Sequence, residues 1–132
     1  MRQSTMYRRT ELYRDALHVI EEQFANEELS LSLVAHEIAT SRRQLQRSFS
    51  EVGNTSFRRE LQRVRMSRAA ELLHEGSLSV QEVAAAVGYR QAAQFAKAFR
   101  RSHGAPPSSF RGANGGNGGA TPLRHAAGSL AA

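Results

Sequence analysis

The sequence predicts an all-α fold, a seven-helix domain in which two helix-turn-helix modules are joined by a long central helix. Three observations predict it. Apolar residues recur at three- and four-residue spacing through most of the first 111 positions, the period of a helix with one buried face. Two stretches about 50 residues apart, Leu29–Phe49 and Ser79–Arg101, share one template: a short helix with an apolar-Ala pair, a tight turn, then a helix with an apolar residue and a Phe four positions on. Between them, Phe57, Leu61, Val64, Met66, Ala69, Leu72 and Leu73 form an apolar stripe of helical period.

Each element follows from local signals. A first helix is expected over about Arg9–Asn26, where Leu12, Ala16, Ile20 and Phe24 lie on one face with Leu17 beside them. Its acidic end, Glu21, Glu22, Glu27 and Glu28, would repel a polyanion. A loop then leads to a short helix over Ser32–Ile38. Ser41, with Gln44 three residues on, reads as a capping box and opens a helix to about Val52, which Gly53 and Asn54 terminate. The long helix spans about Ser56–His74, until Gly76 stops it. Ser79 and Glu82 form a second capping box, opening a helix to Val87, and Gly88 makes the turn. The next helix covers Gln91–His103 and ends at Gly104, and Pro107–Arg111 reads as a last short helix begun by proline. Residues 1–9 form an N-terminal extension and 10–111 the domain. The Gly-, Asn- and Ala-rich stretch 112–132 lacks the apolar content to order itself and is expected to be a disordered tail.

Composition narrows the function. In 132 residues there is room for one modest core or two small ones sharing a helix, which leaves no space for a separate ligand-sensing domain. Cysteine is absent, so disulfides, thiolate metal sites and cysteine nucleophiles are excluded. No apolar run approaches the roughly 18 residues of a membrane span and residues 1–10 lack the core of a signal peptide, so a cytoplasmic, nucleoid-associated protein is expected. The net charge of +6 is unevenly distributed. Residues 1–28 carry four arginines against six acids, whereas 29–111 carry twelve arginines and Lys97 against six acids. The excess positive charge coincides with the paired modules. Arginine dominance suits guanine edges and phosphates, and a GC-rich coding sequence accounts for it equally well.

At 100° per residue, setting Leu45 inward keeps Phe49 and Val52 inward and turns Arg43, Arg47 and Ser50 outward, flanked by Gln46. Arginine and glutamine are the side chains that make bidentate contacts with guanine and adenine. In the second module Phe95 and Phe99 face inward, so Arg90, Ala93, Lys97 and Arg100 face outward with Gln94 at the edge. Ala93 touches a thymine methyl at most, and Lys97 is a point charge, so this module is expected to hold phosphate more than to discriminate bases. The connecting helix, at roughly 1.5 Å per residue, is about 27 Å long, against about 34 Å between successive major-groove faces of B-DNA. One chain could therefore read an asymmetric bipartite double-stranded DNA site as a monomer, with a dimer as the alternative. Of the arginines on the connecting helix, Arg58, Arg59 and Arg63 are assigned to phosphates, and Arg65 to an internal pairing.

The residues resemble the AraC/XylS family of bacterial transcription regulators over about 10–111. Val83-Ala-Ala-Ala-Val-Gly88-Tyr89, Phe95, Phe99-Arg100-Arg101, Gly104, Pro107 and Arg111 match its signature around the second reading helix. Leu31, Val34-Ala35, Ser41, Leu45, Arg47 and Phe49 match the first module, and Arg65-Met66, Ala69 and Leu72-Leu73 the connecting helix. The resemblance implies third and sixth helices in adjacent major grooves, with Arg43, Gln46, Arg47, Ala93, Gln94 and Lys97 at base-contacting positions. Ser41, Arg42, Arg58, Arg59, Arg63, Arg90, Arg100 and Arg101 are assigned to the DNA backbone. The resemblance further implies either a small stand-alone activator, with RNA polymerase as a second partner, or a detached reading domain of a larger regulator. The chain departs from the family pattern at Ala39 (a frequent turn glycine), Ser48 (usually apolar), Glu60 (commonly Tyr), Ala93 (usually polar), Lys97 (commonly Arg) and His103 (commonly Phe). Gly53 precedes the usual glycine position, which Asn54 occupies.

Two other classes were weighed. The five histidines are scattered without metal-ligand spacing, and no nucleophile set or phosphate loop is present, so no enzyme, cofactor or metal site is expected. A protein-interaction module of the same fold, acting on RNA polymerase or another regulator, is the stronger rival.

Overall fold

A computed structural model describes residues 3–112, and the expected tail from 113 onward lies outside them. The described residues form six α-helices and a closing 3-10 turn with no strand: α1 (Gln3–Gln23), α2 (Leu31–Glu37), α3 (Arg42–Gly53), α4 (Phe57–Glu75), α5 (Val80–Ala86), α6 (Ala92–His103) and the turn Pro107–Phe110. With that turn the helical elements number seven, as expected. The chain divides within α4, after Val64, into two compact units.

In the first unit α1 packs on α3 and α2. The stripe foreseen for α1 is buried at Leu12, Ala16 and Ile20, joined by Val19, against Val34, Ala35, Leu45, Phe49, Leu61 and Val64. Edge-to-face contacts of Phe49 with Tyr13 (5.3 Å) and Phe57 (6.1 Å) tie three helices together. The start of α1 differs from expectation. It begins at Gln3 rather than about Arg9, and Arg9 is buried and ion-paired with Glu51 of α3. An apolar periodicity does not register a buried ion pair. The helix also ends at Gln23, short of Asn26, because the Asn26 carboxamide oxygen accepts from the Glu28 N–H and starts a turn.

In the second unit the buried hydrophobic side chains are Met66, Ala69, Leu73, Val83, Ala84, Val87, Phe95, Ala98 and Phe99 among the described residues. A run of rings extends along α6: Tyr89 on Phe95, Phe95 on Phe99, and Phe99 stacked on His103 at 4.4 Å, with Phe110 edge-on to both. Gly112 is buried and donates to the Leu73 carbonyl at 3.0 Å, and a Cβ there would meet the His74 carbonyl.

The two turns are built alike. Ile38, Ala39 and Thr40 donate to the carbonyls of Val34, His36 and Ala35, and Val87, Gly88 and Tyr89 donate to those of Val83, Ala85 and Ala84. The second turn is one residue longer, Arg90 standing before the N-cap Gln91, where Ser41 caps α3 directly after Thr40. Both turns require a left-handed residue, met by Gly88 (φ 95°) and by Ala39 (φ 59°). The capping box is complete at Ser79 with Glu82. At Ser41 the structure gives one half of it, the Gln44 N–H donating to Ser41 Oγ at 3.1 Å. Asn54 rather than Gly53 adopts the left-handed cap of α3, and Gly53 stays helical where a Cβ would strike the Tyr13 ring.

Two predictions follow from this packing. A left-handed residue with a Cβ costs roughly 1–2 kcal/mol, offset in part by the larger unfolded-state freedom of glycine, so Ala39→Gly should raise the unfolding free energy by about 0.5–1 kcal/mol in urea titrations. Unchanged or lower stability would contradict the strain. Burial between Phe99 and Phe110 lowers the His103 pKa below its ordinary value of 6.5, and its Nδ1 is buried without a hydrogen-bond partner. The unfolded chain then binds the proton more readily. Stability should fall as pH drops below about 6.5 and level off beneath the depressed native pKa. His103→Phe should flatten this segment of a stability–pH profile.

Candidate nucleic-acid interface

The exposed face of α3 is set by what its other face buries. Leu45, Phe49 and Ser48 are buried, the Ser48 hydroxyl satisfied by donating to the Gln44 carbonyl at 3.0 Å, so a polar residue at a usually apolar site is accommodated. Opposite them Arg42, Arg43, Gln46, Arg47 and Ser50 are exposed together. The three base-contacting candidates of the first module therefore share one helical face, with Arg42 beside them and Ser41 at the N-cap. Ser41 Oγ accepts from Gln44, which leaves its hydroxyl proton to donate.

The charges on this face stand at the wrong end of the helix for stability. The first turn of α3 holds Arg42 and Arg43 and no acid, where the dipole favours negative charge. Such a placement costs a few tenths of a kcal/mol per cation in the free protein and becomes favourable when an anion arrives at the helix N-terminus. Arg58 and Arg59 likewise stand in the first turn of α4, there with Glu60 beside them, and the N–H of Arg59 donates to Ser56 Oγ at 3.1 Å. Arg63 differs from its two neighbours. Glu60 grips it through Nη2–Oε2 at 2.7 Å and Nε–Oε1 at 3.3 Å, and this bond holds the guanidinium pKa above its ordinary value.

On α6, Phe95, Ala98 and Phe99 are buried while Ala93, Gln94, Lys97, Arg100 and Arg101 are exposed, and Arg90 and Gln91 are exposed in the preceding turn. Here Arg100 and Arg101 occupy the last turn, where the dipole favours cations, so the helix needs no ligand to tolerate them. Arg65 turns inward, its guanidinium 5.7 Å above the Tyr89 ring, and burial lowers its pKa. Among the described residues no group of acidic, His or Cys side chains is placed to hold a metal, and no helix is long and apolar enough to cross a membrane.

Sequence reasoning passed over Glu51. It lies on the exposed side of α3, ion-paired with buried Arg9 through Oε1, with its Oε2 3.7 Å from Nε of Arg47. The i,i+4 spacing of Arg47 and Glu51 was the available signal. The partnership with Arg9, 42 residues away, was not visible.

These two units, each a short helix and a tight turn feeding an exposed basic helix, define a double helix-turn-helix domain. The model of a helix-turn-helix domain family matches residues 34–113, more than half of the chain. The chain is 33% identical over 102 residues to the raffinose operon transcriptional regulatory protein RafR of Pediococcus pentosaceus, covering 77% of this chain and 36% of RafR. Among solved structures it is similar to the C-terminal domain of AraT, a response regulator from Geobacillus stearothermophilus, with a TM-score of 0.75, 30% identity, and coverage of 87% of this chain and 95% of that domain. It is also similar to the DNA-binding domain of the global transcriptional factor AdpA, solved with a target DNA, at a TM-score of 0.66 and 27% identity over 74% of this chain and 90% of that one. The chain belongs to the AraC/XylS family of transcription regulators. It spans about a third or less of the length of most curated relatives it matches.

The pairing of Arg63 yields a prediction. Because Glu60 already neutralises it, Arg63→Ala should weaken duplex binding less than Arg58→Ala or Arg59→Ala and leave the slope of log K against log salt nearly unchanged, whereas each of the latter should reduce the slope by about 0.9. Fluorescence anisotropy titrations across a salt series measure this, and an equal loss of slope for Arg63→Ala would contradict its neutralisation.

Proposed function

We propose that this chain is a sequence-specific reader of double-stranded DNA that regulates transcription, with α3 and α6 entering adjacent major grooves of an asymmetric bipartite site. The observation that carries the reading is the α3 face: Arg43, Gln46 and Arg47 exposed side by side, opposite a buried Leu45 and Phe49, on a helix whose first turn is cationic. Arg43 and Arg47 would read guanine and Gln46 adenine. Ala93, Gln94 and Lys97 would face bases in the second module with less hydrogen-bonding capacity. Ser41, Arg42, Arg58, Arg59, Arg90, Arg100 and Arg101 would hold phosphates, with Arg63 a weaker contributor. Likeness to the DNA-binding domain of AdpA, solved with a target DNA, supports DNA as the ligand.

The length of α4, 19 residues or about 28 Å at 1.5 Å per residue, supports engagement by one chain of two successive grooves. Activation, with RNA polymerase as a second partner, a nucleoid location and the absence of catalysis belong to the same reading and rest on family membership.

Selection of bound duplexes from a random-sequence pool tests it, returning the site, its asymmetry and the half-site spacing together. Arg47→Ala and Gln46→Ala should each relax discrimination at a single base pair by about 1–3 kcal/mol, while Arg58→Ala and Arg59→Ala weaken all duplexes alike. No preference over random sequence would favour the protein-interaction module instead, and a single contiguous half-site would remove the two-groove arrangement.

A further inference from the structure

Glu51 is out of place by two measures. It puts a negative charge on the face of α3 that carries Arg42, Arg43 and Arg47, and it stands in the last turns of that helix, where the dipole disfavours an acid. Its order relative to Arg47 is also the weaker one for a helical ion pair, with the acid on the C-terminal side. Yet Glu51 is held firmly, because Arg9, its side chain only 7% exposed, meets Oε1 from α1. A buried guanidinium placed behind an exposed carboxylate fixes that carboxylate's position. Oε2 is left pointing at Arg47, 3.7 Å from Nε, while the Arg47 side chain is itself half-exposed.

The atom approached is the informative detail. Bidentate recognition of guanine uses two guanidinium N–H groups directed at O6 and N7. A carboxylate on the Nε side, at ion-pair rather than hydrogen-bond distance, leaves Nη1 and Nη2 available and biases the rotamers of a long, half-exposed side chain that would otherwise lose more freedom on binding. We infer that Glu51 is a positioning residue for Arg47: anchored from behind by Arg9, it aims the Arg47 fork at a base edge, at the expense of general attraction for phosphate. This rests on the proposed base reading by Arg47. It assigns α1, otherwise a packing helix, a part in specificity.

A merely structural role for Glu51 would lower binding to every duplex. Positioning predicts opposite signs: Glu51→Gln removes a negative charge from the face, so random duplexes should bind about twofold tighter, while discrimination at the Arg47 base pair should fall about three- to fivefold. The experiment begins with Arg47→Ala in the full chain, measuring affinity for the selected site and its single-base-pair variants. If Arg47→Ala alters discrimination at no base pair, base reading by Arg47 fails and the inference falls with it. If it alters one, Glu51→Gln is measured at that pair, alone and on top of Arg47→Ala, where it should have no further effect on discrimination. Because Glu51→Gln leaves Arg9 buried beside a neutral partner, Arg9→Met/Glu51→Gln, which removes the charge of both members of the pair and leaves no buried guanidinium, is measured in parallel and should reproduce both changes. Unaltered discrimination at the Arg47 pair in the folded variants, or an equal loss of affinity for all duplexes, would overturn the inference.

Discussion

The rotational phase of α3 and α6 is the constraint on which everything else depends. A helix turns 100° per residue, so once Leu45 and Phe49 are committed to the interior, Arg43, Gln46 and Arg47 have nowhere to go but outward. The same holds for Phe95 and Phe99 with Ala93, Gln94 and Lys97. A shift of one residue in either register would bury an arginine and expose a phenylalanine. Both changes cost several kcal/mol. The core therefore specifies the outer face, and the edge-to-face ring contacts around Phe49 and along α6 make that specification stiff.

Around this constraint the first module accepts small local costs. Arg42 and Arg43 stand at the end of α3 that electrostatics disfavours, Ala39 holds a left-handed backbone where its counterpart Gly88 does so without strain, and Glu51 stands among cations near a helix C-terminus. Each is a conflict between local preference and global arrangement of the kind that marks working surfaces. The second module shows fewer of them. Arg100 and Arg101 sit at the favourable end of α6, and the module's turn residue is glycine.

Much of the fold was legible because its signals are local. Ser41, Ser79, Gly76, Gly88 and Gly104 mark boundaries through hydrogen bonds or φ values that involve only their sequence neighbours, and the structure places those boundaries within a residue or so. Helices α3 and α6 were equally accessible, since their inward residues are apolar and their period is regular. What stayed hidden involved partners remote in sequence. The first two turns of α1 have no apolar stripe, Gly112 belongs to the domain through the Leu73 carbonyl, and Gly53 is required by a ring on α1.

By itself, the sequence determined the succession of helices, the places where they start and stop, and which side of α3 and α6 is polar, because periodicity and capping are properties of contiguous residues. Only the tertiary structure decided how charged groups remote in sequence are paired: that Arg65 lies over Tyr89, and that Arg9 reaches across to Glu51 beside Arg47. Sequence alone presents arginines as interchangeable cations. Their separate roles arise from burial and from carboxylates and rings brought close by folding, and those distances are set by packing rather than by any pattern along the chain.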